Sequence, residues 1–134
     1  MSELGASRHR SRERAVELLY EAAMKGRSVA AVLNELAVPP DAYTLTLLRA
    51  SLEFQERALE LISRYSIDWP LERMALLDRL ILTLATSEML SDDAPPRAVV
   101  LDEAVELAKT YSTDGSPSFV NGVLSSIADD IARE

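Results

Sequence analysis

Residues 116–124 read SPSFVNGVL and begin the last helix of the chain. Ser116 followed by Pro117 is typical of a helix N-terminus, with a hydroxyl cap and then a proline whose missing N–H has no helical partner in any case. Phe119 and Gly122 lie off the apolar face. Because glycine costs about 1 kcal/mol relative to alanine inside a helix, Gly122 indicates that something approaches that face closely. A buried stripe at helical spacing follows the start: Val120, Val123, Leu124, Ile127 and Ile131.

The remainder of the sequence shows helical periodicity and no alternation typical of a strand. We therefore predict an all-α fold of about seven helices in two small packed helical bundles. Residues 1–7 are predicted to be a mobile arm, and residues 8–134 a single domain with subdomains 8–66 and 67–134. Besides the last helix, the expected segments are 8–25, 28–36, 41–65, a helical turn at 70–74, 76–90 and 97–112.

The composition argues against an enzyme. There is no cysteine, and with only four glycines the chain has no phosphate-binding loop motif. The nearest approach to a metal site is the group Asp102, Glu103 and Glu106. Asp102 and Glu106 lie four residues apart on one helix face, which we interpret as solvated. We therefore expect no cofactor and no metal.

No apolar run approaches the roughly 20 residues that span a bilayer, and the N-terminus does not resemble a signal peptide, so we expect a cytoplasmic protein.

The charge is unevenly distributed, although the net charge is −8. Residues 1–27 carry six basic and four acidic side chains, whereas residues 28–134 carry 8 basic and 18 acidic ones. A basic arm on an acidic body is one reading, and four phosphate contacts to a single strand would then give a salt slope near −3. Ordinary helical ion pairs such as Arg14 with Glu17 explain the pattern equally well. The alternating arginines are Arg8, Arg10, Arg12 and Arg14.

Phe119 extends the nucleic-acid interpretation to the C-terminal helix. An aromatic side chain at a helix N-terminus can stack on a base, which is worth about 1–3 kcal/mol. The free N–H groups of Ser118 and Phe119 would favour a phosphate beside it. The competing interpretation is that Phe119 only seals the rim of the core.

Four stretches taken together resemble the NusB family of bacterial transcription antitermination factors. The resemblance implies two helical bundles, no catalysis, and binding of boxA-type single-stranded leader RNA of ribosomal RNA operons. It also implies assembly with the ribosomal protein NusE, other Nus factors and elongating RNA polymerase, in support of processive transcription. The stretches are RERAVELLYEA (12–22), LLDRLILTLATSEML (76–90), AVVLDEAVELAKTYST (98–113) and SPSFVNGVLSSI (116–127).

The resemblance assigns candidate residues by position. The RNA-binding residues fall on Arg8, His9, Arg10, Arg12, Ser118 and Phe119. The residues that contact NusE fall on Tyr20, Glu72 and Asp78. Two departures from the family pattern have opposite effects on RNA affinity. Gly115 replaces one of two acidic residues in the turn, and Ser118 stands where relatives often have a basic residue.

Two other functions are compatible with the same residues. Paired apolar helix faces and an acidic body would also serve a protein-interaction module, or a homodimer that does not itself bind RNA. NusB-like domains also form the N-terminal part of ribosomal RNA cytosine methyltransferases. This chain has neither a cofactor-binding glycine motif nor a cysteine nucleophile, so that role would need a further domain.

Overall fold

The computed structural model describes residues 2–134, and Met1 of the predicted arm lies outside the described residues. Over residues 2–134 the chain is helical without strands, which confirms the all-α prediction. No helix in that range is long and apolar enough to cross a membrane. The helices are α1 Glu3–Lys25, α2 Val29–Asn34, α3 Ala42–Glu53, α4 Gln55–Tyr65, a 3₁₀ helix Leu71–Arg73, α5 Leu76–Leu90, α6 Arg97–Tyr111 and α7 Ser116–Ala132.

Two helix boundaries differ from the prediction. Helix α1 begins at Glu3 rather than near residue 8, because the Ser2 hydroxyl accepts a hydrogen bond from the Gly5 N–H at 2.9 Å and caps the helix. The single long helix predicted over 41–65 is two helices, separated at Phe54, whose φ of −101° and ψ of 9° leave the helical range. Leu52, which shares a stripe of apolar residues with Leu48, Leu59 and Ile62 in the sequence of this segment, is 58% exposed.

Helix α5 lies at the centre of the protein. It packs against α1, α3, α4, α6 and α7, and every residue from 81 to 88 is buried. The nearly continuous apolar sequence of α5 suits this position, because a helix that is hydrophobic on almost all sides needs to be covered on most of them. One apolar core contains residues from both predicted subdomains, and the division at residue 66 stays a prediction.

Helix α7 contributes the predicted stripe to that core. Val120, Val123, Leu124 and Ile127 are at most 5% exposed, and Ile131 is half-buried. Gly122 lies on the open side of the helix. Apart from its two chain neighbours and the nearby backbone of α7 itself, no atom of residues 2–134 lies within 4 Å of the position that its Cβ would take. The close neighbour expected beside Gly122 is therefore not part of this fold.

Helices α1 and α6 run side by side in the same direction. His9 Nδ1 lies 2.6 Å from Glu103 Oε2, and eight residues further along each helix the Tyr111 hydroxyl donates to Glu17 Oε2 at 2.8 Å. The equal spacing of the two contacts fixes the parallel orientation. The basic start of α1 therefore lies beside the middle of α6, and Tyr20 lies towards the end of α6.

A polar contact joins the start of α1 to the start of α3. The Ser11 hydroxyl donates to Asp41 Oδ2 at 2.6 Å, and Asp41 also caps α3 by accepting from the Thr44 N–H at 3.2 Å. Partial burial works to raise the pKa of Asp41, but the hydrogen bonds from Ser11 and Thr44 outweigh it and hold that pKa below its ordinary value.

The depressed pKa of Asp41 predicts a loss of stability in acid. Its carboxylate contributes stability above the unfolded-state pKa of about 3.9, and this contribution disappears as the pH falls through the lower folded-state pKa. In Asp41→Asn the cap acceptor remains but the charge is gone. Urea unfolding between pH 6 and pH 2.5 should show the largest stability gap between wild type and variant above pH 5, and a shrinking gap below pH 4. A gap independent of pH would contradict this account of Asp41.

The two glycines Gly122 and Gly26 should respond to alanine in opposite directions. Gly122→Ala meets open space in a helix interior, so the free energy of unfolding should rise by about 0.5–1 kcal/mol. Gly26 ends α1 with a φ of +61°, which strains any residue with a Cβ. Gly26→Ala should therefore lower the free energy of unfolding by about 1–2 kcal/mol. Thermal unfolding of both variants measures the contrast. A lower melting temperature for Gly122→Ala would show that the open side of α7 has been misassigned.

Candidate nucleic-acid interface

Arg12 is buried instead of facing solvent, with 2% of its surface exposed. Its Nε donates to Glu88 Oε1 at 3.0 Å and its Nη2 to Glu88 Oε2 at 2.7 Å, so the pair is bidentate. Burial works to lower the pKa of Arg12, but the hydrogen bonds and the charge of Glu88 outweigh it, and the pKa is raised. In this fold Arg12 is not available to a phosphate on the surface.

Three further side chains surround this ion pair: His9, Tyr43 and Glu103. We call these three residues, together with Arg12 and Glu88, the Arg12 cluster. The Tyr43 hydroxyl donates to Glu88 Oε2 at 2.5 Å. Glu103 accepts from Arg12 Nη1 at 3.4 Å and lies 2.6 Å from His9 Nδ1. Burial, together with the contact with Glu88, raises the pKa of Tyr43 to about 12. The cluster joins α1, α3, α5 and α6.

Arg8 and Arg10 remain at the surface of the basic segment. Arg8 is half-buried, and its guanidinium carbon lies 4.4 Å from the centre of the Tyr43 ring. Arg10 is exposed, and within residues 2–134 neither arginine has a carboxylate oxygen within 4.0 Å. Stacking on a ring leaves the N–H donors of a guanidinium free at its edge. These two arginines can therefore bind phosphates without breaking an internal ion pair.

The start of α7 is built differently from the sequence prediction. Gly115 occupies the cap position and Ser116 is the first helical residue, with its side chain buried. The Ser116 hydroxyl donates to Ser112 Oγ at 2.9 Å, and the Ser112 hydroxyl donates to Asp78 Oδ1 at 2.6 Å. The prediction of Ser116 as the N-cap was wrong, because its hydroxyl takes part in these hydrogen bonds instead of capping α7. The bonds connect the start of α7 to the end of α6 and the start of α5.

Phe119 and Ser118 face different parts of the surface. Phe119 is half-buried against the core and lines an open depression of about 430 Å³. Ser118 is exposed and lies on the neighbouring surface beside Glu106 and Asn121. The prediction that the Phe119 N–H is free was wrong, because this N–H donates to the Gly115 carbonyl at 3.2 Å. Phe119 thus seals the rim of the core with part of its ring and leaves the rest open.

The three candidate partner residues differ in exposure. Tyr20 is 37% exposed and Glu72 is exposed in the 3₁₀ helix. Asp78 is only 8% exposed and lines the same depression as Phe119, where it accepts the hydrogen bond from Ser112. The structure gives Asp78 an internal contact, and contact of all three residues with a partner protein stays a prediction.

Sequence reasoning missed the structural roles of Tyr43, Glu88 and Glu103. Glu103 lies half-buried between His9 and Arg12, whereas Asp102 and Glu106, which were predicted to lie on a solvated helix face, are both exposed. Glu88 did carry a signal, because a carboxylate inside the most apolar helix of a chain needs a buried cation as its partner. The identity of that cation depends on the packing of α1 against α5, which no local pattern encodes.

Comparison with known proteins supports one family. The family model described as "NusB family" matches residues 9–129. The transcription antitermination protein NusB of Streptomyces griseus is 41% identical over 133 residues, which is 92% of this chain and 93% of that protein. The solved structure of T. maritima NusB superposes with a TM-score of 0.82 at 34% identity, covering 92% of this chain and 91% of that one.

A second solved structure shares the fold. It contains the antitermination factors NusB and NusE in complex with double-stranded RNA, and it superposes with a TM-score of 0.74 at 23% identity, over 92% of this chain and 96% of that one. The match of fold agrees with the match of sequence over nearly the whole chain. This protein therefore belongs to the NusB family of non-catalytic transcription antitermination factors.

Proposed function

We propose that this protein binds boxA-type single-stranded leader RNA of ribosomal RNA operons together with the ribosomal protein NusE. The complex then joins other Nus factors on elongating RNA polymerase and supports processive transcription. Family membership is the starting point for the proposal. The observation that carries the RNA contact is the pair Arg8 and Arg10, which remain free of carboxylates at the surface of a chain with a net charge of −8.

The spacing of the free cations and the aromatic favours an extended ligand. The Arg8 and Arg10 segment lies beside Glu103, whereas the start of α7 lies beside Ser112, because the Ser116 hydroxyl donates to Ser112 Oγ. Nine residues of helix separate these levels, which is about 14 Å along α6 at 1.5 Å per residue. A strand of several nucleotides reaches from the arginines to Phe119, whereas one nucleotide does not.

A single strand suits these groups better than a duplex. The open part of the Phe119 ring offers a stacking surface, and only an unpaired base can turn its face onto it. Arginines further along the path of the strand can bind its backbone. In one solved structure with this fold, NusB is bound to NusE and to double-stranded RNA, so a duplex of the same sequence is the natural competitor in binding experiments.

The acidic body fits a basic protein partner. Residues 28–134 carry 18 acidic and 8 basic side chains, and charge complementarity of this kind speeds association with a basic protein such as a ribosomal protein. Tyr20 and Glu72 are exposed and available for that contact. Because both the partner and the RNA are attracted by different parts of the surface, they can bind at the same time.

The burial of Arg12 changes the expected salt dependence of RNA binding. Two free arginines instead of four give a slope of about −1.4, at about −0.7 for each phosphate of a single strand. Arg10→Ala should weaken binding about three- to fivefold near 0.15 M salt and reduce the slope by about 0.7. Fluorescence anisotropy of an end-labelled boxA-type RNA between 50 and 300 mM KCl, with and without NusE, measures both quantities.

Arg14→Ala is the matched control for Arg10→Ala. Arg14 lies on the same helix but already pairs with Glu17 at 3.4 Å, so its removal should change RNA affinity and slope less. If the double variant Arg8→Ala/Arg10→Ala and Phe119→Asp both bind RNA as the wild type does, the proposed RNA surface is wrong. Sedimentation that then shows a dimer covering the start of α1 would favour the protein-interaction module.

A further inference from the structure

An open depression of about 430 Å³ beside Phe119 contains a second aromatic side chain and an arginine. Trp69 and Arg73 line it together with Asp78 and Phe119. We propose that Trp69 and Phe119 form a binding subsite for one unpaired base of the RNA, and that Arg73 holds the phosphate next to that base. This assignment rests on the RNA binding proposed above and adds two residues to it. It places Asp78 at the RNA subsite and leaves the predicted contact with NusE to Tyr20 and Glu72.

Trp69 has its side chain open to solvent while its backbone is held in place. As a whole, Trp69 is 50% exposed. Its N–H donates to the Ser66 carbonyl at 3.1 Å, and the hydroxyl of the buried Ser66 donates to the Trp69 carbonyl at 3.1 Å. Because the backbone of Trp69 is already ordered, a ligand that stacks on the indole does not have to order the loop as well.

Arg73 is an available cation at the same place. Within residues 2–134, eight of the 14 arginines and lysines pair with a carboxylate within 4.0 Å, and Arg73 is among those that do not. The backbone next to it is fixed, because its N–H donates to the Pro70 carbonyl at 3.0 Å and the following residue, Met74, is buried. A free guanidinium at a fixed position is suited to a phosphate.

The charges within the depression assign the base and the phosphate to different parts of it. Asp78 is negative and buried at this depression, so it disfavours a phosphate there and leaves that space to an uncharged base. The phosphate then belongs beside Arg73. Two aromatic rings and one cation are also the usual components of sequence-tolerant single-strand sites.

Trp69 is the only tryptophan of the chain, so its fluorescence reports on this subsite alone. Titration of the full-length protein with a short boxA-type RNA oligonucleotide should quench the emission as a base stacks on the indole. In parallel, anisotropy of the end-labelled RNA measures binding without using Trp69. Trp69→Ala should weaken binding about five- to 150-fold, the range observed for loss of one stacked base, and Trp69→Phe should restore most of it.

Two control variants separate the subsite from general effects. Ile67→Ala removes an apolar side chain that is 85% exposed in the same loop, and it should leave RNA affinity unchanged. With Arg73 as a third phosphate contact, the salt slope of the wild type should be about −2.1 instead of the value of about −1.4 expected from Arg8 and Arg10 alone. Arg73→Ala should reduce it by about 0.7, whereas Arg49→Ala, which removes an exposed arginine at another depression, should not. Far-UV circular dichroism checks that each variant is folded.

Each outcome decides the matter. If the RNA binds but Trp69→Ala matches the wild type and the emission does not change, the subsite is wrong and the proposed function stands. If NusE alone changes the emission and RNA does not, a protein side chain occupies the depression and the assignment to a base is overturned. If the wild type binds no RNA with or without NusE, both the subsite and the proposed function fail.

Discussion

The buried ion pair of Arg12 and Glu88 determines how the N-terminal helix lies on the rest of the protein. Removing two charges from water is costly, and the attraction between them offsets the penalty only where the geometry is good and the remaining donors and acceptors are used. Here the pair is bidentate, at 2.7 and 3.0 Å, and Tyr43 and Glu103 take further hydrogen bonds. The ion pair joins α1 to α5, and the further hydrogen bonds come from α3 and α6. Shifting any one of these helices would therefore break a hydrogen bond to a buried charge.

The same pair divides the arginine segment by function. Successive residues of a helix are about 100° apart, so Arg10 points to the side opposite Arg12, and Arg8, four residues before Arg12, lies above it on the same side. Arg8 accordingly stacks on Tyr43 at 4.4 Å, and Arg12 lies 5.7 Å from the same ring. An alternating basic sequence therefore supplies one structural arginine and two that are open to a ligand, a division that net charge alone does not reveal.

The parts of the fold predicted correctly from sequence are those in which local periodicity and burial coincide. The stripe in α7 and the burial of α5 follow from apolar residues that recur at helical spacing. The break at Phe54 and the helical start at Glu3 were missed, since one is a small departure in backbone angles and the other depends on a single hydroxyl cap. The candidate site shows the same limit. Phe119 was found from its position, whereas Trp69 and Arg73 come near it only through tertiary packing.

The central claim is that Arg12 acts inside the fold, and a double-mutant cycle on the unfolding free energy tests it most directly. Arg12→Met and Glu88→Met should each cost about 3–5 kcal/mol, because each leaves a buried charge without its partner. The double variant Arg12→Met/Glu88→Met should lose clearly less than the sum of the two, as the contacts between the sites require. Additive losses, or a loss below about 1 kcal/mol for Arg12→Met of the kind expected at a surface arginine, would contradict the account.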